Sequence, residues 1–480
     1  MDAKARRQKH WVERVLDWIG LLLLALLVWC LIIQIPWPFR RSVVISPETT
    51  YLIGPIGSDG RIDYEAALRE WQSCGVTEDN NAAKVLAYIV VLWNPAAETA
   101  PSGKQPCLRH DTEAEWPTER WLEDLVVPGP DELARIRQWV GSSGPALALA
   151  CEASRRPRWL VHKDRAELQS TCRLACLLLA ARATLRGREE QAAAWEDILA
   201  VHRLARLLLN TNRYIARHVE AWALGAARLA VPADLPAERA RRMLADLDAL
   251  PTWTDVRELF EHELRFYYLD AATTKEPLWT WRVGVVAKGY TGLTHGEYYL
   301  SAGLSRTKLL RELNQAFNEL RPVLALPTHQ LLDRLEELEA RKRQETQFDE
   351  KAAILRMLFC GFHRFEDHWL SECLIWNART PEKHDFSMET QVRMRFQLAR
   401  LALALAAWRA EKGGYPETLS QLAPDYLKEV PIDLFTGRPL AYRREGDGYL
   451  LYSVGMNRRD DGGVVCGEKQ QDDLVVRASR

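Results

Sequence analysis

The sequence predicts a mainly α-helical protein with an N-terminal transmembrane helix, a multi-helix body and a small α+β module at the C-terminus. Three observations support this fold class. An uncharged apolar stretch lies near the N-terminus, apolar residues recur about every 3.6 residues through most of the chain, and short apolar segments separated by glycine turns follow near its end. These patterns divide the chain into 1–41, 42–386 and 388–480.

Composition narrows the classes of function. The 480 residues carry a formal net charge of -1, and 47% of them are hydrophobic. This balance excludes a disordered chain, because such chains lack the apolar residues to bury. We expect no nucleic-acid partner, because neither a basic surplus nor a local basic patch is found.

The first element is an apolar segment from Trp18 to Ile35 that contains no charged residue. At about 1.5 Å rise per residue, a helix of this length nearly spans a hydrocarbon core of about 30 Å. Basic residues are more frequent before the segment than after it, so the positive-inside rule places the N-terminus in the cytoplasm and the body outside. The sequence therefore predicts a single-pass signal anchor in the inner (cytoplasmic) membrane. A cleaved signal peptide is the alternative, although no small-residue cleavage site follows.

The second element, the body, has a helical pattern almost without interruption. Prolines and glycines separate the predicted helices, which cover 64–73, 80–94, 131–153, 165–186, 189–209, 213–230, 236–249, 253–270, 307–320, 328–346 and 350–377. The helices 165–186 and 189–209 are joined by a turn at Gly187, which is typical of an antiparallel αα-hairpin. Several such hairpins in series predict either an irregular bundle or an irregular solenoid.

No pattern in the body nominates a catalytic site. The sequence contains no GxSxG, P-loop, GxGxxG or CxxC motif. The densest set of polar candidates does not have zinc spacing, because its two histidines are five residues apart and diverge on a helix; the set is Cys360, His363, Glu366, Asp367, His368 and Cys373. In an oxidising compartment, Cys74 and Cys107 are the pair most worth testing for a disulfide.

The third element, the C-terminal module, begins with a predicted amphipathic helix, which ends at two glycines after Lys412. Its apolar face consists of Leu398, Leu401, Leu405 and Trp408. A short helix through Leu422 is predicted next. The segments 440–444 and 449–454, joined by Glu445-Gly446-Asp447-Gly448, predict a β-hairpin. The result is a small α+β unit.

An ordered series of short motifs follows the long helix, and it consists of Gly414-Tyr415-Pro416, Tyr426-Leu427 before Pro431-x-Asp433, Gly437-x-Pro439 and Tyr452-Ser453-x-Gly455. In this series the module resembles the globular part of the major pseudopilin of type II secretion systems. It is also similar to bacterial single-pass membrane proteins that carry such a module after a helical region.

The pseudopilin resemblance implies a calcium ion in the acidic tail of the module. The matching oxygen donors, of the kind that calcium prefers, are Ser453, Asn457, Asp460, Asp461, Asp472 and Asp473. Two departures oppose this: Arg458 and Arg459 stand among the donors, and Asn457 replaces a usual acid. The membrane segment also lies far upstream of the long helix, so we expect a reused packing or interaction domain rather than a pilus subunit.

Together these features predict a membrane-anchored extracytoplasmic protein, non-catalytic, that binds or scaffolds a protein partner at the cell envelope. The first alternative is an accessory of a type II secretion or pilus-like apparatus. The second is an envelope hydrolase that acts through carboxylates such as Glu261 and Glu263.

Overall fold

The computed structural model describes most of the helical body and nearly all of the C-terminal module. The described residues are 43–93, 129–161, 165–187, 189–209, 213–231, 234–253, 265–273, 306–345, 383–464 and 473–478, with isolated positions at 18–21, 24–25, 28, 122, 375, 378–379 and 381. Within them the chain is mainly helical with one small sheet at the C-terminus, as the sequence predicts.

Helices dominate the described chain. They are α1 (Tyr64–Ser73), α2 (Ala82–Trp93), α3 (Pro130–Ser142), α4 (Gly144–Ser154), α5 (Arg165–Arg186), α6 (Gln191–Leu208), α7 (Arg213–Ala230), α8 (Ala237–Asp248), α9 (Arg265–Thr273), α10 (Arg306–Leu324), α11 (Thr328–Glu345) and α12 (Lys383–Lys412), followed by a 3-10 helix (Leu419–Leu422). The strands are β1 (Ala441–Glu445), β2 (Gly448–Ser453) and β3 (Leu474–Ala478).

Two differences from the predicted helices involve prolines. The predicted helix 131–153 is broken at Ser143, because Pro145 near the start of α4 lacks a backbone N–H and restricts the residue before it. Pro322 was expected to end a helix but lies inside the last turn of α10. The predicted helix 350–377 and most of 253–270 lie outside the described residues.

The predicted transmembrane anchor is contradicted. Among the residues that the structure describes, no helix is long and apolar enough to cross a membrane. The apolar helix α2 has only 12 residues, and the 30-residue α12 carries charged residues along its length, whereas a span needs about 20 mostly apolar residues. Of the segment from Trp18 to Ile35, only isolated helical positions are described. The transmembrane helix, the signal anchor and the single-pass inner-membrane localisation are therefore withdrawn.

The chain divides into two compact units. The first contains 1–68, 260–325 and 334–382, and the second contains 69–259, 326–333 and 383–480. In the first unit, α9 packs on α10. In the second, α5, α6 and α7 pack on one another, and α8 packs on α12. The predicted boundary between body and module, at 386–388, falls inside α12.

A buried ion-pair cluster joins α5 to α6 in the second unit. Asp197 is almost fully buried, and its two oxygens accept from Nε and Nη2 of Arg182 at 2.9 and 2.6 Å. Arg186 donates to the same carboxylate at 2.7 Å. Because three charge-assisted hydrogen bonds satisfy this buried carboxylate, the cluster fixes the α5–α6 hairpin.

The sheet is antiparallel, with the order β1-β2-β3. Glu445 pairs with Gly448 at the end of the predicted hairpin, and Ser453 pairs with Leu474 at the other end of β2. All of β2 is buried because strands cover both of its edges and α12 lies against it. The strand β3 was not predicted.

Candidate functional site

The structure brings most of the predicted calcium donors to one end of the sheet. Ser453 ends β2, and Asp473 immediately precedes β3, so the Ser453–Leu474 pairing places both at the same sheet end. Asn457, Asp460 and Asp461 lie in the intervening segment. The sixth donor, Asp472, lies outside the described residues.

Hydrogen bonds within this segment already use several donors. Asp460 accepts from the Tyr452 hydroxyl at 2.8 Å and from the backbone N–H of Gly462 at 2.9 Å. Asn457 donates from Nδ2 to Asp461 at 2.8 Å. These side chains therefore fold the segment that follows β2.

Asp473 differs from its neighbours because it is buried with an unsatisfied oxygen. It is 3% exposed, Oδ2 accepts from the Gly463 N–H at 2.7 Å, and Oδ1 has no hydrogen-bond partner among the described residues. Burial raises the pKa of Asp473, and backbone hydrogen bonds from Gly463 and Asp461 and the nearby carboxylates of Asp461 and Asp460 act in opposite directions on the remainder, leaving the pKa raised. The folded state thus disfavours the ionised form of this carboxyl group.

The described donors do not by themselves test the predicted calcium centre, because Asp472 lies outside the described residues. Calcium takes 6 to 8 oxygen ligands, yet no group of three or more His, Cys, Asp or Glu side chains within the described ranges is arranged to hold a metal. The neighbouring Arg458 forms an ion pair with Asp333 of α11. Calcium binding through this set, with Asp472, therefore stays a prediction.

The other predicted chemical groups are mostly beyond the described part of the chain. Among the described residues Cys74 is an exposed free thiol, and the partner considered for it, Cys107, lies outside them. The remaining groups lie outside the described residues, and they are Cys107, Glu261, Glu263, Cys360, His363, Glu366, Asp367, His368 and Cys373.

Asp433 explains the Pro-x-Asp motif of the module. Its carboxylate is buried, and it accepts from the backbone N–H of Phe435 at 2.8 Å and from that of Val454 at 3.0 Å. It therefore ties the loop after the 3-10 helix to the end of β2.

The first turn of α11 docks on this loop. Gly437 has φ +69, and a Cβ built on it would lie 2.6 to 2.8 Å from the imidazole atoms of His329. Only glycine allows both this conformation and this approach. The ion pair between Asp333 and Arg458 lies one turn further along the same face of α11, and the hydrogen bond from Arg458 lowers the pKa of Asp333.

A second junction connects α12 to α8. Arg241 donates to both oxygens of Glu411, at 2.7 and 3.1 Å, and the Tyr426 hydroxyl donates to Glu411 at 2.6 Å. The guanidinium of Arg241 also lies 4.2 Å from the centre of the Tyr426 ring. The hydrogen bonds from Arg241 and Tyr426 lower the pKa of Glu411 to about 2.

A buried polar cluster between α6, α7 and α12 was missed from the sequence. His202 Nδ1 lies 2.8 Å from Oε1 of the fully buried Glu220. Arg206 lies 3.9 Å from the same oxygen, and its guanidinium packs 4.8 Å from the ring centre of Phe396 on α12. Burial lowers the pKa of Arg206, and Glu220 offsets part of this effect. The sequence contains one signal for this cluster, because the polar residues His202 and Arg206 lie beside the apolar residues of α6.

Comparisons with known proteins gave no relative: no family model, no curated protein and no solved structure matched the chain. The pseudopilin resemblance therefore stays a prediction that rests on the motifs of the module.

Proposed function

We propose that the chain is a non-catalytic binding or scaffolding protein in which the C-terminal module is a fixed part of a helical unit. The observation that carries the proposal is the position of α12, which packs on α7 and α8 and also on β2 and β3. A helix shared in this way makes the module an extension of the helices rather than a tethered domain. The proposal retains the predicted binding role without the membrane anchor.

The surface that best suits a protein partner is one face of α2. This helix buries Leu86 and Ile89, whereas Tyr88 is 66% exposed and Leu92 is 50% exposed. Tyr88 and Leu92 are four residues apart and therefore share the outward face. Neighbouring exposed aromatic and aliphatic side chains are typical of protein interfaces.

Photo-crosslinking in the native cells tests this proposal. A photoreactive residue replaces Tyr88 in the full-length chain, and the control carries the same residue at the exposed Arg242 of α8. We expect one defined protein to crosslink at position 88, to be lost on Leu92→Ser, and to be absent at position 242. Identical patterns at both positions, or no crosslinked protein at either, would contradict the proposal.

The crosslinking experiment and an activity assay separate the two alternative functions. A secretion or pilus component crosslinked at position 88 would favour an accessory of such an apparatus, which rests on the resemblance of the module. Turnover of a glycan or peptide that is lost on Glu261→Gln or Glu263→Gln would favour a hydrolase instead.

A further inference from the structure

An open cavity of about 400 Å3 lies in the first unit, between a turn near residue 48 and one face of α10. This volume lies at the lower end of the roughly 300 to 1,000 Å3 of small-molecule sites. The α10 positions follow the i, i+3, i+4, i+7, i+8 spacing of one helix face. The lining residues are Pro47, Glu48, Arg311, Asn314, Gln315, Asn318 and Glu319.

The buried Asn314 holds the two walls together. It is 3% exposed, and its Oδ1 accepts from Nε and Nη2 of Arg265 at 3.1 and 2.9 Å. Its Nδ2 donates to the carbonyl oxygens of Glu48, at 3.2 Å, and of Thr49. Arg265 lies 3.7 Å from the ring centre of Tyr51. The backbone of Glu48 is therefore fixed to α10.

The turn that carries Glu48 is itself tightly bonded. The backbone N–H of Thr50 donates to the carbonyl of Ser46 at 2.9 Å, and that of Thr49 donates to it at 3.1 Å. The N–H of Ser46 donates to the Thr49 hydroxyl at 3.1 Å. A wall built in this way keeps its shape before a ligand binds, which reduces the entropic cost of binding.

The two walls carry opposite charges that are not paired with each other. Glu319 is engaged, because it accepts from Gln315 at 2.7 Å and lies 3.7 Å from Arg379. Within the described residues, by contrast, neither Arg311 on α10 nor Glu48 on the turn forms an ion pair. The cavity therefore offers a guanidinium on one wall and a carboxylate on the other.

We propose that this cavity binds a small zwitterion of the amino-acid type, either a free α-amino acid or a dipeptide. The guanidinium of Arg311 receives the ligand carboxylate, for which its paired N–H donors are suited. The carboxylate of Glu48 receives the ligand ammonium group. The Asn318 side chain, whose Oδ1 already accepts from Arg265 at 3.2 Å, retains its amide N–H groups for the ligand. This site goes beyond the proposed scaffolding role and does not depend on it.

Isothermal titration calorimetry of the full-length chain tests the site. The probes are L-alanine and alanylalanine, compared with N-acetylalanine, which lacks the ammonium, and alanine amide, which lacks the carboxylate. We expect a zwitterion to bind at least about tenfold more tightly than either analogue, because each lost charge removes a charge-assisted hydrogen bond. The preferred zwitterion distinguishes a free amino acid from a peptide.

Variants assign the charges to the two walls. Arg311→Gln should abolish the preference for alanine over alanine amide, and Glu48→Gln should abolish the preference for alanine over N-acetylalanine. The control is Lys308→Gln, which removes the same charge from an exposed position of α10 outside the cavity. All three changed side chains are exposed or half-buried, so the unliganded Tm should stay unchanged. The proposal would be overturned if neither zwitterion binds at millimolar concentration. It would also be overturned if Arg311→Gln and Lys308→Gln bind alanine with equal affinity.

Discussion

Replacing Gly437 with alanine should loosen the contact between the first turn of α11 and the C-terminal module. The residue has φ +69, where an alanine costs roughly 1–2 kcal/mol. Its new Cβ would lie 2.6 Å from the nearest imidazole atom of His329, and displacing that ring adds roughly 1–3 kcal/mol. We therefore expect Gly437→Ala to lower the free energy of unfolding by roughly 2–5 kcal/mol.

Gly446 supplies a matched control. It has φ +59 in the turn between β1 and β2, and nothing lies within 4 Å of its built Cβ. Gly446→Ala should therefore cost only the conformational part. Urea unfolding of the full-length chain measures both changes, provided that the m-value is unchanged. Equal losses for the two variants would refute the reasoning. In a cycle with His329→Ala, the additional loss at Gly437 should disappear.

Three further predictions concern carboxylates that are buried or half-buried. Asp197→Ala should cost roughly 3–5 kcal/mol because it removes the buried carboxylate to which both Arg182 and Arg186 donate. Glu190→Gln, at the exposed side of Arg186, should cost under about 0.5 kcal/mol in the same urea titration. Burial raises the pKa of Asp270 from 3.8 to about 6. Folding therefore disfavours the ionised carboxylate, so the free energy of unfolding should fall by roughly 1–2 kcal/mol as the pH rises through this interval. The Asp270→Asn variant should not show this fall. In the presence of a chelator, Asp473→Asn should have a higher Tm than the wild type, because the substitution removes a buried charge. If the variant instead has a lower Tm than the wild type when calcium is present, this carboxylate binds the cation.

Local patterns predicted the helices well because their determinants are local. The α5 and α7 bounds follow from apolar periodicity and from the breaks that flank them. The hairpin of β1 and β2 follows from a Gly-containing turn in the same way. The strand β3 was missed because its partner lies beyond a long acidic connection, and the register that brings Asp473 beside Ser453 was missed with it.

The candidate sites depend on contacts that no local pattern reveals. Asn314 reaches the carbonyl of Glu48 across 266 positions of the sequence. Arg241 reaches Glu411 across 170. Neither residue lies in a motif, and a surface arginine or a polar residue on an amphipathic helix has many equally plausible neighbours. The sequence therefore predicts oxygen donors in the acidic tail of the module, but it reveals neither the cavity nor the junction with α8.

The packing of α8 on α12 also constrains the order in which the chain can fold during synthesis. The apolar face of α8 includes Met243, Leu244 and Leu247, all buried in the folded chain. Its partner α12 begins only at Lys383, so at 5–20 residues per second the ribosome needs on the order of ten seconds to supply it. During that interval the nascent chain presents an uncovered apolar helix, and chaperones that bind such surfaces have a defined period in which to act.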